Sequence, residues 1–440
     1  MVYREAPDRG HYASDDIMGE ARRAARTDGV VIVGAGQAGG RAAESLRNSG
    51  FTGSVILVGD ETERPYERPS LSKEMLLDTS RETVSWLHAP AFYADQEIDL
   101  RCGVSAMAID RSNRRVHLSN GDSIPFGVTI LATGARPRPL VLRGHAEQST
   151  FMLRTLADAR KLRAELSEGR NVVIVGAGFI GLEVAAAASQ RGCRVTVVEA
   201  APAPLGRVVP PEIGLFYEQL HRRHGVSFRF NTQVTGVTQR GAQHVVETNT
   251  GQEIPCDMLL VGIGIIPNDS LAADAGLEAD RGIVVDQYGA TRDPLIFAVG
   301  DVARQFNPRL GRHILLESWQ NAQNQAMAVA RNLGAESAPI PYDAIPWFWS
   351  DQYGLNLQMY GIAEAGGEIT MRGRFEDKSW IMFQTFEGRI VGMIGLNAAR
   401  DMRGLRDFIG REASKSELAN TDVALSELVR RAKPQAASLL

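Results

Sequence analysis

The sequence VVIVGAGQAGGRAAESL, residues 30–46, gives the strongest indication of the fold. It places a β-branched run before Gly34, Gly36 and Gly39, and Ala-rich, helix-forming sequence follows the glycines. In such a unit the first glycine permits the tight turn, the second lets backbone N–H groups approach a pyrophosphate, and the third allows close helix–strand packing. The next apolar run, VILVGD, ends at Asp60, whose carboxylate can accept hydrogen bonds from a ribose. The stretch therefore predicts a Rossmann-like unit that binds a dinucleotide.

The same pattern recurs at residues 171–199, NVVIVGAGFIGLEVAAAASQRGCRVTVVE. Gly176, Gly178 and Gly181 occupy its turn, and Glu199 closes the next strand. The first glycines of the two patterns are 142 residues apart, which is too far for one βαβ unit and suits two domains of about 120 residues each. Two fingerprints predict two dinucleotides, and hence a redox enzyme that uses two cofactors.

Composition excludes several classes of protein. The 440 residues are 44% hydrophobic and 23% charged, as in ordinary globular proteins, and they suffice for two or three domains. A formal charge of -4 gives no general basic field that would attract nucleic acid. No run of about 18 apolar residues occurs, so no membrane span is predicted. We expect neither nucleic acid nor membrane as a partner.

The cysteines provide no metal site and no disulfide framework. Cys102, Cys193 and Cys256 are odd in number and widely separated, and they form neither a CxxC pair nor a ligand set for zinc or iron–sulfur clusters. Cys193 lies between the helix and the strand of the second unit, where we interpret it as a packing residue rather than a catalytic thiol. Because the first 28 residues also lack a secretory signal, we expect a cytoplasmic location.

Residues 29–412 resemble the two-dinucleotide flavoprotein reductases, and among them the ferredoxin reductases of bacterial oxygenase systems. The resemblance implies an α/β fold of the glutathione-reductase type, with two Rossmann-like dinucleotide-binding domains and a C-terminal α+β domain. Its implied cofactors are FAD and NADH. Besides the two fingerprints, the motifs that carry it are TILATGARPR (129–138), LLVGIGIIPN (259–268), LIFAVGDVAR (295–304), ESWQNAQNQA (317–326) and PWFWSDQYGLNLQMYG (346–361).

The resemblance and the composition predict the limits of the domains. After residue 338 the sequence turns aromatic and alternating, with Gly-containing breaks, which is typical of a small antiparallel sheet. We expect the N-terminal extension to be loose and the tail to be a short amphipathic helix or disordered. The predicted parts are an N-terminal extension (1–28), an FAD-binding domain (29–140 and 265–338), an NAD-binding domain (141–264), a C-terminal domain (339–412) and a tail (413–440).

Carried over position by position, the resemblance implies a set of FAD-binding residues. It makes Asp60 a ligand of the FAD ribose and Asp301 a ligand of the ribityl chain, and it places the backbone at Trp319 against the flavin. The other implied positions are Gly34, Gly36, Gln37, Ala38, Gly39, Arg68, Lys73, Ala106, Ala132, Thr133, Gly134 and Arg154.

The resemblance implies a second set of residues for NADH. Glu183 matches the acid near the nicotinamide, and Glu199 and Arg207 fall at adenosine-side positions. Glu199 would repel a 2′-phosphate, so we expect NADH to be preferred. The preference is expected to be moderate, and use of NADPH stays open, because a nearby Arg207 would offset part of that repulsion. The other implied positions are Gly176, Gly178, Phe179, Ile180, Gly181, Gly262 and Gly264.

Several of these assignments have simpler alternatives. Glu183 could be an acid that is favourable near a helix N-terminus, and Lys73 could be a solvated surface lysine. Arg207 could be an ordinary surface charge. Trp347 and Trp349 alternate as in a strand and could simply pack the C-terminal domain.

The stretch RPYERPSLSKEML, residues 64–76, holds Lys73 but no cysteine. In disulfide reductases the reduced flavin passes both electrons to a nearby cysteine pair, which requires two thiols beside the isoalloxazine. Lys73 instead offers a cation that can stabilise negative charge on the reduced flavin, and Glu183 can orient that cation. We therefore predict that electrons leave the flavin for an external carrier, with Lys73 and Glu183 as the catalytic residues.

These observations predict an NADH-dependent FAD reductase for a small [2Fe-2S] ferredoxin, which supplies a Rieske-type aromatic-ring oxygenase. Rubredoxin reductases and the redoxin reductases of cytochrome P-450 systems share the fold and cofactors and stay open as alternatives. A relative of apoptosis-inducing factor, acting as an NADH-sensitive interaction protein, is the alternative from another class. A protein of that class would be expected to have an organelle-targeting presequence and a long insertion in its last domain, and neither feature is evident in this sequence.

Overall fold

The computed structural model of the protein describes residues 14–78, 80–142, 150–240, 243–362 and 366–431. The helices are α1 (Ser14–Asp28), α2 (Gln37–Asn48), α3 (Glu74–Leu77), α4 (Phe92–Asp95), α5 (Leu156–Glu165), α6 (Phe179–Gln190), α7 (Pro211–Arg223), α8 (Ser270–Asp274), α9 (Trp319–Gly334), α10 (Ala399–Gly404), α11 (Lys415–Ala419) and α12 (Leu425–Arg431). Short 3-10 turns lie at Pro69–Ser72, Gly300–Val302 and Arg406–Phe408. Across these described ranges, no helix combines the length and apolar character needed to cross a membrane.

The strands range from two to eight residues in length. They are β1 (Val30–Val33), β2 (Val55–Val58), β3 (Ile98–Arg101), β4 (Ala106–Asp110), β5 (Arg115–Leu118), β6 (Ser123–Pro125), β7 (Val128–Leu131), β8 (Ala135–Pro137), β9 (Thr150–Phe151), β10 (Asn171–Val175), β11 (Arg194–Val198), β12 (Ser227–Arg229), β13 (Val234–Arg240), β14 (Gln243–Thr248), β15 (Glu253–Cys256), β16 (Met258–Val261), β17 (Ile265–Pro267), β18 (Ile283–Val285), β19 (Ile296–Ala298), β20 (Ala303–Asn307), β21 (Arg312–Leu315), β22 (Trp347–Gln352), β23 (Leu355–Gly361), β24 (Glu368–Arg372), β25 (Trp380–Phe386) and β26 (Arg389–Leu396).

The first glycine-rich stretch forms the centre of a parallel sheet with the strand order β19-β7-β1-β2-β3. All four residues of β1 are buried, because α2 and α9 cover one face of the sheet and the small sheet β4-β5-β6 covers the other. The last strand, β19, returns from beyond the second glycine-rich unit and pairs in parallel with β7. Segments from both sides of that unit therefore build one sheet.

The second glycine-rich stretch forms another parallel sheet, with the order β12-β11-β10-β16-β9. Helices α6 and α7 pack on one face of it, and the antiparallel sheet β13-β14-β15 packs on the other. The predicted α/β class with two Rossmann-like units is confirmed. The residue limits that we assigned to the two domains stay a prediction.

The aromatic C-terminal region forms an antiparallel sheet with the order β22-β23-β26-β25-β24. One face packs against α10, α11 and α12, which confirms the predicted α+β class. The other face carries Trp380, Met382 and Leu396 into the same hydrophobic cluster as α6 and α7. The C-terminal sheet is therefore held directly against the second Rossmann-like unit.

The N-terminal extension differs from the prediction over its described part. Residues 14–28 form α1, and Met18, Ala21 and Ala25 are buried against the first parallel sheet and its helices. Arg22 Nε also donates a hydrogen bond of 2.7 Å to a backbone carbonyl at the end of α9. The expectation of a loose extension is therefore wrong for α1, while residues 1–13 lie outside the described residues.

The tail packs with the C-terminal domain through residue 431. Leu418 of α11 and Leu428 of α12 are buried in the cluster that also holds α10. The Arg372 guanidinium donates hydrogen bonds of 2.5 Å to the carbonyl oxygens of Asn420 and Val423. Of the two expectations for the tail, the helical one agrees with α11 and α12, while residues 432–440 lie outside the described residues.

Candidate active site

The first glycine loop leaves open backbone where a phosphate group would approach. Gly34 has a φ of +111°, and a Cβ on it would overlap the carbonyl oxygen of Ala132. A Cβ on Gly39 would overlap the carbonyl oxygen of Gly34, so close helix–strand packing requires glycine there. Gly36 is open, since a Cβ on it would meet nothing nearer than the Arg68 guanidinium at 3.8 Å. An open loop beside a cation at a helix N-terminus fits a pyrophosphate.

Asp301 and Arg154 lie together near the start of α2. An Arg154 guanidinium nitrogen is 3.0 Å from Asp301 Oδ2. A Cβ on Gly134 would lie 3.3 Å from the same guanidinium, and a Cβ on Gly300 would lie 3.0 Å from the Ala38 side chain. The structure therefore brings these FAD positions together although the chain separates Arg154 from Asp301 by 147 residues.

Two further FAD positions present buried polar atoms. Gln37 Oε1 and Trp319 Nε1 are buried and have no hydrogen-bond partner among the described residues. Thr133 is held in its turn by Asn268, whose carbonyl oxygen accepts a bond of 2.7 Å from Thr133 Oγ1. Because buried polar atoms normally find a partner, the unpaired atoms on Gln37 and Trp319 fit a polar cofactor such as FAD.

The other FAD positions lie around these residues. Arg68 is held by Glu61, with 2.6 Å between guanidinium and carboxylate, and by the carbonyl oxygen of Arg154 at 2.5 Å. Asp60 is exposed just beyond β2, at the carboxyl end of the parallel sheet, where ligands of such folds bind. Ala106 begins β4 and has no polar side-chain atom, so only its backbone could contact a cofactor.

The second glycine loop repeats the geometry of the first. Gly176 has a φ of +102°, and a Cβ on it would overlap the carbonyl oxygen of Gly262. A Cβ on Gly181 would overlap the carbonyl oxygen of Gly176. A Cβ on Gly178 would meet nothing within 4 Å. The loop therefore leaves the same kind of open backbone for a second dinucleotide.

Glu199 is anchored to the second glycine loop. Its Oε2 accepts a hydrogen bond of 2.7 Å from the backbone N–H of Ala177, and its Oε1 accepts one of 2.8 Å from Ala201. Arg207 is exposed on the loop before α7. The structure thus places the Glu199 carboxylate at the loop and Arg207 on the wall of a nearby cavity.

That cavity has a volume of about 750 Å³ and is lined by residues 206–211 of the second Rossmann-like unit, by residues 315–318 and by residues of the C-terminal domain. Phe179 and Phe348 meet beside it with ring centroids 4.6 Å apart, and Phe348 lines it. Ile180 is exposed, and Gly264 has a φ of +108°, where an added Cβ would meet nothing within 4 Å. Of the predicted NAD positions, Arg207 lines this cavity and Phe179 contacts Phe348 on its wall, while Ile180 and Gly264 leave open space at their own positions.

Lys73 and Glu183 form a buried ion pair. Lys73 Nζ lies 2.9 Å from Glu183 Oε2, and the two side chains are only 11% and 3% exposed. Ser72 Oγ donates to the same carboxylate oxygen, and Ser350 Oγ donates to Oε1 over 2.7 Å. The alternative of Lys73 as a solvated surface lysine is inconsistent with this burial. Glu183 lies inside α6 and pairs with Lys73, so a favourable position near a helix N-terminus does not account for it.

Sequence reasoning missed the two serines that hold Glu183. Ser72 immediately precedes Lys73, so its place in the RPSLSK segment was a usable signal. Ser350 lies in β22, from the C-terminal domain, and 167 residues separate it from Glu183. Ser350 belongs to the PWFWSD motif, but the motif does not indicate a contact with Glu183, because only the packing of β22 against α6 brings the two residues together.

The tryptophans of the PWFWSD motif form part of the site. The Trp349 ring lies 5.5 Å from the Trp319 ring and 5.0 Å from the Trp347 ring, and Lys73 Nζ is 5.8 Å from it. Trp349 Nε1 donates a hydrogen bond of 3.0 Å to Asp351 Oδ2. These tryptophans do pack the C-terminal domain, and Trp349 also connects it to the Lys73 end of the ion pair.

The three cysteines are free thiols. Cys193 and Cys256 are buried in the hydrophobic clusters of the second Rossmann-like unit, and burial raises the pKa of Cys256 to about 12. Burial also raises the pKa of Cys102. Raised pKa values disfavour the reactive thiolate, so none of the three has the surroundings of a redox-active thiol.

Two family models match this chain. Residues 28–326 match the model described as pyridine nucleotide-disulphide oxidoreductase, and residues 347–429 match the model of the reductase C-terminal domain. The first match alone covers more than half of the chain, and the second covers the antiparallel sheet and its helices.

Named relatives cover nearly the whole chain. The ferredoxin–NAD(+) reductase component of the anthranilate 1,2-dioxygenase system of Burkholderia cepacia is 43% identical over 406 residues, with 90% of this chain and 98% of the relative covered. A ferredoxin reductase structure from Rhodopseudomonas palustris is 36% identical, with a TM-score of 0.87 and coverages of 91% and 99%. Putidaredoxin reductase, solved in covalent complex with putidaredoxin, is 38% identical, with a TM-score of 0.87 and coverages of 92% and 99%. The chain belongs to the pyridine nucleotide-disulphide oxidoreductase family.

Proposed function

We propose that this protein is an NADH-dependent FAD reductase that supplies a small [2Fe-2S] ferredoxin and, through it, a Rieske-type aromatic-ring dioxygenase. The observation that carries the proposal is the buried Lys73–Glu183 pair, whose lysine lies in a stretch (64–76) without cysteine. A member of this family that lacks a dithiol beside the flavin needs an external electron acceptor. The dioxygenase-system reductase among its relatives supports a ferredoxin as that acceptor.

The FAD-binding residues would come from two separate segments of the chain. The glycine loop at 34–39 would hold the pyrophosphate, and Asp60 would bind the ribose. Asp301 would bind the ribityl chain, and the backbone at Trp319 would lie against the flavin. The buried unpaired atoms on Gln37 and Trp319 support this placement. When bound, FAD supplies the conversion of a hydride, which carries two electrons, into single electrons that an iron–sulfur protein can accept.

Lys73 and Glu183 act at the reacting end of the site in this proposal. The Lys73 ammonium provides fixed positive charge where negative charge develops, and the low water access around it strengthens that effect. Glu183 orients the ammonium, while Ser72 and Ser350 fix the carboxylate. The C-terminal domain, which supplies Ser350, thereby helps to exclude water.

The second Rossmann-like unit would bind NADH. Its open backbone at Gly178 would receive the pyrophosphate, and Glu199 would accept hydrogen bonds from the adenosine ribose. We assign this role to a domain at 141–264, and the FAD role to 29–140 together with 265–338. We also propose a cytoplasmic location, since three separated free cysteines suit a reducing compartment.

The electron acceptor has one competing candidate. The match to the Rhodopseudomonas palustris ferredoxin reductase, which was solved as the reductase of the CYP199A2 system, favours a redoxin of the cytochrome P-450 type as the second possibility. Both acceptors are small iron–sulfur proteins that take one electron at a time, so the site chemistry is the same for either.

A carrier-dependent assay tests the proposed function. The yellow holoprotein, NADH and cytochrome c would be combined with a Rieske-system [2Fe-2S] ferredoxin, a cytochrome P-450 redoxin or a rubredoxin in turn. We expect saturable cytochrome c reduction that depends on the Rieske-system ferredoxin and is weaker with the other carriers. NADH oxidation that proceeds only with a disulfide substrate, and with none of the carriers, would contradict the proposal.

A further inference from the structure

A row of buried polar side chains leads from Glu183 into the C-terminal domain. Ser350 Oγ lies 2.7 Å from Glu183 Oε1, and Gln352 Nε2 lies 3.1 Å from Ser350 Oγ. Gln352 Oε1 lies 2.7 Å from His221 Nε2, and His221 Nδ1 lies 3.1 Å from the Tyr353 hydroxyl. We call Ser350, Gln352, His221 and Tyr353 the buried polar chain. Its first three members are 0%, 2% and 0% exposed.

In each hydrogen bond of the buried polar chain, the donor belongs to the residue that is farther along the chain from Glu183. The carboxylate can only accept, so the Ser350 hydroxyl donates to it and accepts from the Gln352 amide N–H. The Gln352 carbonyl oxygen then faces His221, whose Nε2 must carry the proton. His221 Nδ1 is left as the acceptor for the Tyr353 hydroxyl. One arrangement of protons therefore satisfies the whole chain.

The surroundings of His221 agree with this arrangement. Burial lowers the pKa of His221 to about 4, so the ring is neutral at neutral pH and its Nδ1 can accept a hydrogen bond. The Tyr353 ring stacks on His224 at 3.7 Å, and its hydroxyl lies 3.0 Å from Ser189 Oγ. His224 is exposed, so the chain reaches from the ion pair to the protein surface.

The buried polar chain crosses the contact between two domains. Ser350 and Gln352 are two residues apart on β22 and therefore share one face of the strand. Glu183 lies on α6 and His221 on α7, both in the second Rossmann-like unit. A shift of β22 by one residue would turn both polar side chains away, because side chains alternate along a strand. A fully paired buried network of this kind specifies a single docking geometry.

We propose that Ser350, Gln352 and His221 are positioning residues for hydride transfer, which hold the Glu183 carboxylate and, through it, the Lys73 ammonium beside the bound flavin. This inference rests on the proposed function. It makes the C-terminal domain part of the hydride-transfer site, in addition to its role as a cover.

The proton arrangement can be tested on the wild-type holoprotein without measuring activity. Histidine labelled with ¹⁵N distinguishes the two neutral ring forms in long-range ¹H–¹⁵N NMR spectra, and the His221→Gln variant assigns the signal. We expect a neutral His221 that carries its proton on Nε2. A proton on Nδ1, or a charged ring at pH 7, would overturn the inference.

Kinetics of matched variants test the positioning role. Ser350→Ala and Gln352→Met are expected to lower the single-turnover rate of flavin reduction by NADH about tenfold, because each removes a bond that supports a charged group. Both should also lower the flavin midpoint potential, since a displaced Lys73 stabilises the reduced flavin less. Thr370→Val is the control, because it removes a buried hydroxyl of the same sheet that has no partner among the described residues. Its rate should stay within about twofold of wild type.

The outcomes separate this inference from the proposed function. Unchanged rates and potentials in Ser350→Ala and Gln352→Met, or an equal loss in Thr370→Val, would overturn the positioning role while wild-type electron transfer stands. A wild-type flavin that NADH does not reduce would overturn the proposed function, and the positioning role with it.

Discussion

Glu183 forms an ion pair inside the protein, and three donors make this arrangement stable. Ser72, Lys73 and Ser350 all contact its carboxylate, which is almost fully buried. A buried carboxylate that loses one partner is destabilised by about 1.5–3 kcal/mol, so each donor contributes substantially to the geometry of the site. The three donors come from two distant parts of the chain, so the ion pair depends on how those parts pack around α6.

Coenzyme preference tests the role of Glu199. Its carboxylate would repel the 2′-phosphate of NADPH, so the wild type should prefer NADH. Glu199→Ala should lower the ratio of kcat/KM for NADH to kcat/KM for NADPH by about tenfold, which corresponds to about 1.4 kcal/mol. The change should act mainly through KM if the contact is equally strong in the ground and transition states. Steady-state reduction of an artificial acceptor with each coenzyme measures the ratio.

Glu199→Gln is the matched control for this experiment. It keeps one oxygen that can accept the hydrogen bond from Ala177 or Ala201, and it removes the charge together with the second acceptor. It should narrow the ratio as well if charge repulsion decides the preference. A wild type that prefers NADPH tenfold, or an unchanged ratio in Glu199→Ala, would show that Glu199 does not hold the adenosine ribose.

Some elements could be predicted from the sequence and others could not. The two glycine loops and their strands were clear because long β-branched runs adjoin glycines whose positions are sterically required. Helix α1 was missed because its buried face is Met18, Ala21 and Ala25, and alanine gives little contrast in a hydrophobic pattern. Helix α11 did have a usable signal, since Ser414 and Glu417 form a capping box.

Helix α1 should contribute to the stability of the first Rossmann-like domain. Met18→Ala would leave a cavity against the sheet, and we expect it to lower the free energy of unfolding by about 2–5 kcal/mol. Glu20→Ala is the control on the exposed face of the same helix, with an expected change within about 0.5 kcal/mol. Denaturation of the holoprotein measures both. Equal stability of the two variants would show that α1 does not pack as described.

The complete molecule explains why Lys73 and Glu183 could be named from the sequence while the residues that support them could not. Lys73 and Glu183 were named because each lies in a motif of the family. The buried polar chain links Glu183 to residues up to 167 positions away. Ser350, Gln352 and Tyr353 do lie in the motif at 346–361, but that motif does not indicate their hydrogen bonds to Glu183 and His221. Its members become neighbours only when the antiparallel sheet docks on α6 and α7, which depends on the packing of two whole domains.

We expect the flavin of this protein to pass electrons directly to a one-electron carrier, without the participation of a cysteine pair. Anaerobic titration with NADH, followed by the flavin absorbance, counts the electrons that the holoprotein accepts. A flavin alone takes two electrons, and a flavin coupled to a disulfide takes four. We predict complete flavin bleaching with one equivalent of NADH per bound FAD, in the wild type and in the C102S/C193S/C256S variant alike. Uptake of two equivalents by the wild type, with the second lost in the cysteine-free variant, would contradict this account.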